Sequence, residues 1–278
     1  MKISASQKAQ FQEQGFLIFE EFFTPEEISD FQHTLRQLIR TALAKAKKSG
    51  HAVDPAAYDG TEFHAGLQKL ESIDHFYVAD IYDTLAQSVA FKRLTTKRET
   101  ESAINQLMDR DERAPLYTYT CRCRIDPPKD DRRTYGWHQE VFYSIPRSRF
   151  LQTWAPLVDP SSVANGTVEV CVGSHREGVA RQSWNEVPGR AVQIIVDEAL
   201  TEKYPKQKIL LNVGQLLIFD YRLFHRSGDN QSSRVRYSLV GMYHDADNPE
   251  FYSASVSLGF KKSSPREFFD ETFGAPRH

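Results

Sequence analysis

From Leu116 to Tyr243 the chain breaks into short apolar or alternating runs, separated by turn signals and without helical spacing between them. The runs are Leu116 to Ile125, Phe150 to Val158, Thr167 to Val172, Val192 to Val196, Ile209 to Val213, Leu216 to Asp220 and Arg234 to Tyr243. Asn165-Gly166 is a two-residue turn signal between two of them, and Asn212-Val213-Gly214-Gln215 is another break. Many strands at this spacing, with no intervening helices, predict an antiparallel double sheet of the jelly-roll type, the architectures that include cupins.

The first hundred or so residues read differently. Thr24-Pro25-Glu26-Glu27 places a hydroxyl at the N-cap, proline at the first helical position and a carboxylate three residues on. A helix is predicted to run from there through Ile28, Phe31, Leu35, Leu38, Ile39 and Leu43 to the basic stretch ending at Gly50. Gly15 to Phe19 reads as a short strand, His51 to Thr61 as an exposed loop, and helical spacing resumes around Leu67 to Leu85 and Glu99 to Met108. The organisation predicted is one unit over 1–278: a mainly helical part over 1–110, a jelly-roll core over 111–262 and a tail over 263–278 with a short helix and a frayed end.

Composition narrows the function classes. Lys and Arg number 35 against 37 Asp and Glu, a net charge of -2, so no global field favours nucleic acid or an anionic membrane. The N-terminus lacks the apolar core of a secretory signal and no apolar run approaches transmembrane length, so a cytosolic location is expected. Cys121, Cys123 and Cys171 are too few for a disulfide framework and read as buried thiols. Small-molecule chemistry is what remains.

His138 and Glu140 stand two apart, and His225 arrives from far downstream. Residues two apart on an extended strand point to one side, so an imidazole and a carboxylate can share a metal with a second imidazole. Two histidines and one carboxylate form the facial triad of non-heme Fe(II) oxygenases. The same three ligands with a metal-bound water would suit a zinc hydrolase or isomerase, and a sensor of metal or 2-oxoglutarate is a third reading. His51, His64 and His75 stand apart from other ligand types and read as surface or structural; His244, in Tyr243-His244-Asp245-Ala246-Asp247, reads as part of a solvated acidic loop.

An ordered set of motifs then carries a family resemblance: Pro127-Pro128, His138-Gln139-Glu140, Trp154 with Leu157 and Asp159, Asn165-Gly166, Gly173-Ser174-His175, Gly214-Gln215 with Phe219, His225-x-Ser227-x-x-Asn230 and Arg236. With Gly15-Phe16-Leu17 and the Thr24 helix start, the chain resembles the phytanoyl-CoA dioxygenase family of Fe(II)- and 2-oxoglutarate-dependent oxygenases. The resemblance spans almost the whole chain, apart from about 50 to 110. It implies Fe(II) on His138, Glu140 and His225, 2-oxoglutarate and O2 at the remaining positions, and Arg236 on the far carboxylate of 2-oxoglutarate. It further implies Ser227 near that carboxylate, Trp154 along its wall and Arg122 lining the same site. Arg234, two residues earlier, is the runner-up for the cation. Most of the family carries Asp where Glu140 stands, and any carboxylate there argues against the halogenating branch.

The activity implied is hydroxylation, desaturation or ring closure of a small molecule at an unactivated carbon, with release of succinate and CO2. Arg122, Arg124, Lys129, Arg132 and Arg133 cluster before the His138 motif and would form a lip for an anionic substrate, a carboxylate, phosphate or carrier-linked acyl group. Trp137, Phe142, Tyr143 and Ile145 would supply an apolar wall, and His175 either shapes the site or satisfies a turn. The substrate itself is not encoded in any motif.

Overall fold

The computed structural model describes residues 1–130, 134–145, 147–186, 193–254 and 265–274. The chain opens on α1 (Ala5–Gln14), a helix that apolar spacing does not announce because it buries only Phe11. Its ends hold it: Ser4 and Gln7 form a capping box, and Gly15 closes it with its N–H donating to Phe11 O. Strand β1 (Phe16–Phe19) follows. Helix α2 (Pro25–Lys48) starts where the sequence predicts, with Glu27 N–H donating to Thr24 Oγ1 at 3.2 Å and Thr24 N–H donating to Glu27 Oε2 at 2.9 Å. Phe31, Leu35, Ile39 and Leu43 on its inner face are fully buried, each contributing about 1.5–3 kcal/mol.

Four shorter helices complete the N-terminal part: α3 (Leu67–Ile73), α4 (His75–Gln87), α5 (Val89–Thr95) and α6 (Arg98–Leu107). The break between α3 and α4 falls at Asp74, whose side chain caps α4 by accepting from Phe76 N–H. The strands are β2 (Leu116–Asp126), β3 (Phe150–Pro156), β4 (Val168–Cys171), β5 (Gln182–Asn185), β6 (Gln193–Val196), then after a single turn α7 (Glu198–Thr201), β7 (Lys206–Lys208), β8 (Leu216–Asp220), β9 (His225–Ser227) and β10 (Arg236–Asp245). Helix α8 (Pro265–Phe273) occupies the predicted tail and packs Phe268, Phe269 and Phe273 onto Phe142.

The strands make a jelly roll of two facing sheets. One sheet has five strands in the order β1-β8-β3-β10-β2, the other three in the order β7-β4-β9, and β5-β6 form a separate hairpin pair. All described pairs are antiparallel. Apart from its edge strand β2, the large sheet is buried on both faces. Tyr237, Leu239, Cys123 and Ile125 turn outward to join Phe31, Leu35, Leu67, Phe91 and Ile104 of the helices in one apolar cluster. Trp154, Leu217 and Phe219 turn inward against Val168 and Val170 of the small sheet.

The strands differ in places from the sequence expectation. Ile209 to Val213 is not a strand, although its backbone is satisfied: Ile209 N–H donates to Val168 O and Ser161 N–H to Leu211 O, both at 2.8 Å. The strand in this region is β7, three exposed residues with no apolar signal. Strands β5 and β9 likewise have polar sequences that periodicity does not detect. Val192, the predicted start of β6, lies outside the described residues.

Candidate metal centre and co-substrate cavity

His138 and His225 are joined through their main chains before their side chains are considered. Each N–H donates to the other's carbonyl at 3.0 Å, a single antiparallel bridge between β9 and the segment leading to Glu140. Each imidazole then fixes its own orientation, with Nδ1 at 2.7 Å from Gly136 O and 2.9 Å from Leu223 O. A ring whose Nδ1–H donates to a carbonyl carries its lone pair on Nε2. Both Nε2 atoms face Glu140 Oε2, at 3.6 Å each.

Glu140 reaches this point by a route the sequence does not suggest. The chain is still extended at Gln139 and leaves that geometry just after it, so Glu140 is the first residue of a helical turn, its N–H donating to Tyr221 O at 2.9 Å. The longer glutamate arm spans back from the turn to the two rings. Behind it, fully buried Gln139 donates to Gly178 O and Arg222 O at 2.7 and 2.6 Å and accepts from Ala180 N–H at 2.9 Å. Its functional importance carries no sequence signal, since it is the unremarked middle residue of the motif.

The three candidate ligand atoms lie within 4.8 Å of one another, all on buried residues, the one such group among the described residues. Burial would raise the Glu140 carboxyl, but hydrogen bonds and charge from His138 and His225, available when a proton sits on Nε2 where a metal would otherwise bind, outweigh it and hold the group well below the usual carboxylate range. Burial, then the neighbouring His138, push His225 downward. Two bare imidazole nitrogens and one ionised carboxylate, buried and convergent, are a donor set that suits a divalent transition metal.

This cluster lines a cavity of about 450 Å³ between the two sheets. Its other pole is cationic. Arg236 is 9% exposed, and its Nε and Nη2 donate to Asp126 Oδ2 at 3.2 and 3.0 Å. Its Nη1 donates to the carbonyls of Asn165, Gly166 and Gly228 at 3.2, 2.5 and 3.0 Å. Gly166 makes this seat possible: at φ +76°, an added Cβ would fall 2.4 Å from Arg236 Nη1 and 2.3 Å from Gly228 O. Arg124 donates to the other oxygen of Asp126 at 2.8 Å and to Ser227 Oγ at 3.3 Å. Burial would raise Asp126, but Arg124 and Arg236 bring it below its ordinary value. Two guanidiniums share one carboxylate, so the cluster keeps one net positive charge facing the cavity.

The structure separates the sequence-derived candidates. It brings Trp154, Ser227 and Arg236 to the cavity wall with His138, Glu140 and His225. Arg122 also lines the cavity, but its guanidinium is hydrogen-bonded to Tyr82, while Arg124 is the arginine that touches Ser227. Arg234, the runner-up cation, precedes β10 and points out to Asp159, with Nε and Nη2 at 2.9 and 2.7 Å from its carboxylate oxygens. Of the predicted apolar wall only Tyr143 lines the cavity; Trp137 is buried under Arg226, whose guanidinium lies 4.6 Å from its ring. Arg132 and Arg133 lie outside the described residues.

Two further histidines are resolved by their surroundings. His175 has Nε2 3.1 Å from Gln12 O and packs against Gly15, fastening the N-terminal helix rather than shaping the cavity. His244 is not in a solvated loop: it is a fully buried residue of β10, held by Ser144 Oγ at 3.0 Å and Ser148 Oγ at 2.8 Å. Burial pushes its pKa down to about 3. The strand simply runs two residues further than the apolar alternation predicts.

Comparison with known proteins agrees with this architecture. The family model described as "Phytanoyl-CoA dioxygenase (PhyH)" matches residues 11–238. The ectoine dioxygenase of Sphingopyxis alaskensis is 24% identical over 289 aligned positions, covering 99% of this chain and 84% of that protein. The structure of EvdO2 from Micromonospora carbonacea var. aurantiaca complexed with 2-oxoglutarate superposes with a TM-score of 0.54 at 20% identity, over 90% of this chain and 96% of that one. The epimerase SnoN, in complex with Fe3+, alpha ketoglutarate and nogalamycin RO, does so with a TM-score of 0.58 at 16% identity, over 89% of this chain and 91% of that one. At these identities the structural likeness carries the fold.

Proposed function

The chain belongs to the phytanoyl-CoA dioxygenase family, and from that premise we propose that His138, Glu140 and His225 hold Fe(II) while Arg236, with Ser227 and Trp154, holds 2-oxoglutarate. The protein is an Fe(II)- and 2-oxoglutarate-dependent dioxygenase acting on a small molecule. When bound, iron and 2-oxoglutarate would supply oxidation of an unactivated C–H bond by O2, with succinate and CO2 as the co-products. What the chain contributes is placement. His138 and His225 present fixed Nε2 lone pairs, Glu140 supplies a carboxylate that lowers the charge of the centre, and Arg236 supplies the cation that a buried distal carboxylate requires. Trp154, Val168 and Phe219 give the cavity an apolar stretch of wall.

The observation that carries this reading is the pairing of a buried His-Glu-His cluster with a buried net-positive cluster in one cavity. A hydrolase using a metal-bound water, or a site for metal alone, has no need of the second pole. Position favours Arg124 over Arg122 as the further cation beside the co-substrate: on β2, Arg122 stands four residues from Asp126, about 13 Å at strand rise. We also propose that the substrate is anionic or carrier-linked, drawn by the basic residues of β2, and that the protein works in the cytosol. No described helix is long and apolar enough to cross a membrane.

The test is an anaerobic titration of the apoprotein with Fe(II) and then 2-oxoglutarate, following the weak visible charge-transfer band of a chelated 2-oxo acid. The band is expected in the wild type, with saturation shifted to higher 2-oxoglutarate in Arg236→Ala. Metal binding without any band removes the oxygenase assignment of these residues.

A further inference from the structure

We propose that Arg122 and Gln152 are the substrate-reading residues of this cavity, selecting a small carboxylate that carries a second oxygen function several carbons from its anion. The proposal rests on the co-substrate assignment above and extends it to the molecule that is oxidised. Gln152 supplies the first observation. It lines the cavity, its residue is 2% exposed, and its Nε2 is buried with no hydrogen-bond partner. A buried amide left unmatched is costly, and a half-turn of the group exchanges its donor and its acceptor. Its place in the sheet sets it beside the metal cluster: Gln152 is paired across the ladder with Phe219, whose ring centroid lies 4.9 Å from that of His225. An oxygen function bound by Gln152 is therefore held next to the reacting centre.

Arg122 supplies the second observation. It is exposed at the cavity wall, its side chain meets the Tyr82 hydroxyl of α4, and no described carboxylate approaches it within ion-pair distance; Asp83 acts on it only at longer range. The other cavity arginines, Arg124 and Arg236, are already committed to Asp126. The backbone also marks this corner. Between Val240 and Met242 the register of β10 and β2 slips, and Thr120 on the bulge has φ +59°, a left-handed conformation that is costly for a β-branched residue. Thr120 and Arg122 both line the cavity wall.

The wall between the two polar groups is apolar, formed by Val240 and Met242 of β10. Strand β10 lies between β3 and β2, with Gln152 opposite Met242 and Arg122 opposite Val240, so the two are offset by two strand spacings across the sheet and two residues along it, about 12 Å between backbones. A ligand matching this wall has an anion at the mouth, a short carbon segment along Val240 and Met242, and a carbonyl or hydroxyl at Gln152. A cavity of about 450 Å³, shared with the co-substrate, is near the small end of the ~300–1,000 Å³ range of ligand sites.

Anaerobic calorimetry on the Fe(II)- and 2-oxoglutarate-loaded protein tests this with 5-oxohexanoate, 6-hydroxyhexanoate and 7-oxooctanoate, each beside its methyl ester. The acids should bind about tenfold more tightly than their esters, the scale of a partly exposed charge-assisted hydrogen bond. Arg122→Met should erase that preference without moving 2-oxoglutarate saturation of the visible band. Gln152→Leu, which fills the same space without polar atoms, should weaken acid and ester alike and leave the acid preference intact. Equal binding of acids and esters, absence of binding by all six, or a 2-oxoglutarate shift in Arg122→Met overturns the proposal. A wild type with no visible band fails the co-substrate reading beneath it and is seen before any probe is added.

Discussion

Asp126→Asn separates two roles that a buried carboxylate between two arginines can play. Asp126 accepts three hydrogen bonds from Arg124 and Arg236 at 2.8–3.2 Å and is 6% exposed. Removing one partner of a buried ionic cluster costs about 3–5 kcal/mol when the remaining charge is left uncompensated. Here the lower end applies, because Arg236 Nη1 keeps three carbonyl acceptors and Arg124 retains Ser227. About 3 kcal/mol corresponds to a melting temperature lowered by about 6–12 °C for a protein of this size. The effect on 2-oxoglutarate should have the opposite sign. Asp126 is a negative charge beside the proposed site of a carboxylate, and at about 5 Å its repulsion is worth up to roughly 3 kcal/mol at an effective dielectric of 20. Since the carbonyls of Asn165, Gly166 and Gly228 still orient Arg236, relief of repulsion outweighs loss of orientation. The visible-band titration should saturate at 2-oxoglutarate concentrations about tenfold lower, and thermal melts should show a larger rise on adding the co-substrate. A variant that melts like the wild type, or one that needs more 2-oxoglutarate, refutes the reasoning.

Further perturbations address the other parts of the site. His138→Ala and His225→Ala should each abolish Fe(II)-dependent succinate formation while leaving the far-ultraviolet circular dichroism intact; full succinate production in either would refute their role as ligands. Gly166→Ala should raise the 2-oxoglutarate requirement at least tenfold, because its Cβ displaces Arg236 Nη1 from 2.4 Å; saturation unchanged from wild type would remove Arg236 from the co-substrate site. The folded pKa of His244 is depressed to about 3, so its contribution to stability is present above the unfolded value of about 6.5 and is lost as pH falls toward 3. Denaturant midpoints should therefore fall more steeply below pH 6 in the wild type than in His244→Gln, and parallel curves would count against a buried neutral imidazole.

Much of the architecture was legible because burial and periodicity coincide. Strands β3, β8 and β10 run apolar in sequence since each lies in the large sheet with both faces covered, β2 alternates because as its edge strand it buries mainly one face, and α2 announces itself by its cap and its stripe. Strand β9 is different in kind: His225, Arg226 and Ser227 have no apolar pattern, and they become a strand only by pairing with β4 and with His138. The candidate ligands were found by motif, while the residues that hold them were not. Asp126 faces Arg236 across 110 residues of chain through the register of β2 and β10, and nothing local in Arg124-Ile125-Asp126 signals that meeting. His244 was misread because a strand edge and an acidic loop look alike where Asp245 and Asp247 follow; only the serines at 144 and 148 show the imidazole to be interior.

The bridge between His138 and His225 has an evolutionary consequence. The hydrogen bonds that bring the two segments together come from peptide groups, and every amino acid except proline offers the same ones. The frame of the centre is therefore indifferent to what the frame displays. Side chains at 138, 140 and 225 can be exchanged while the two segments stay in register. A lineage built on such a frame can lose one chemistry and acquire another by single substitutions, with the scaffold already in place to test each one.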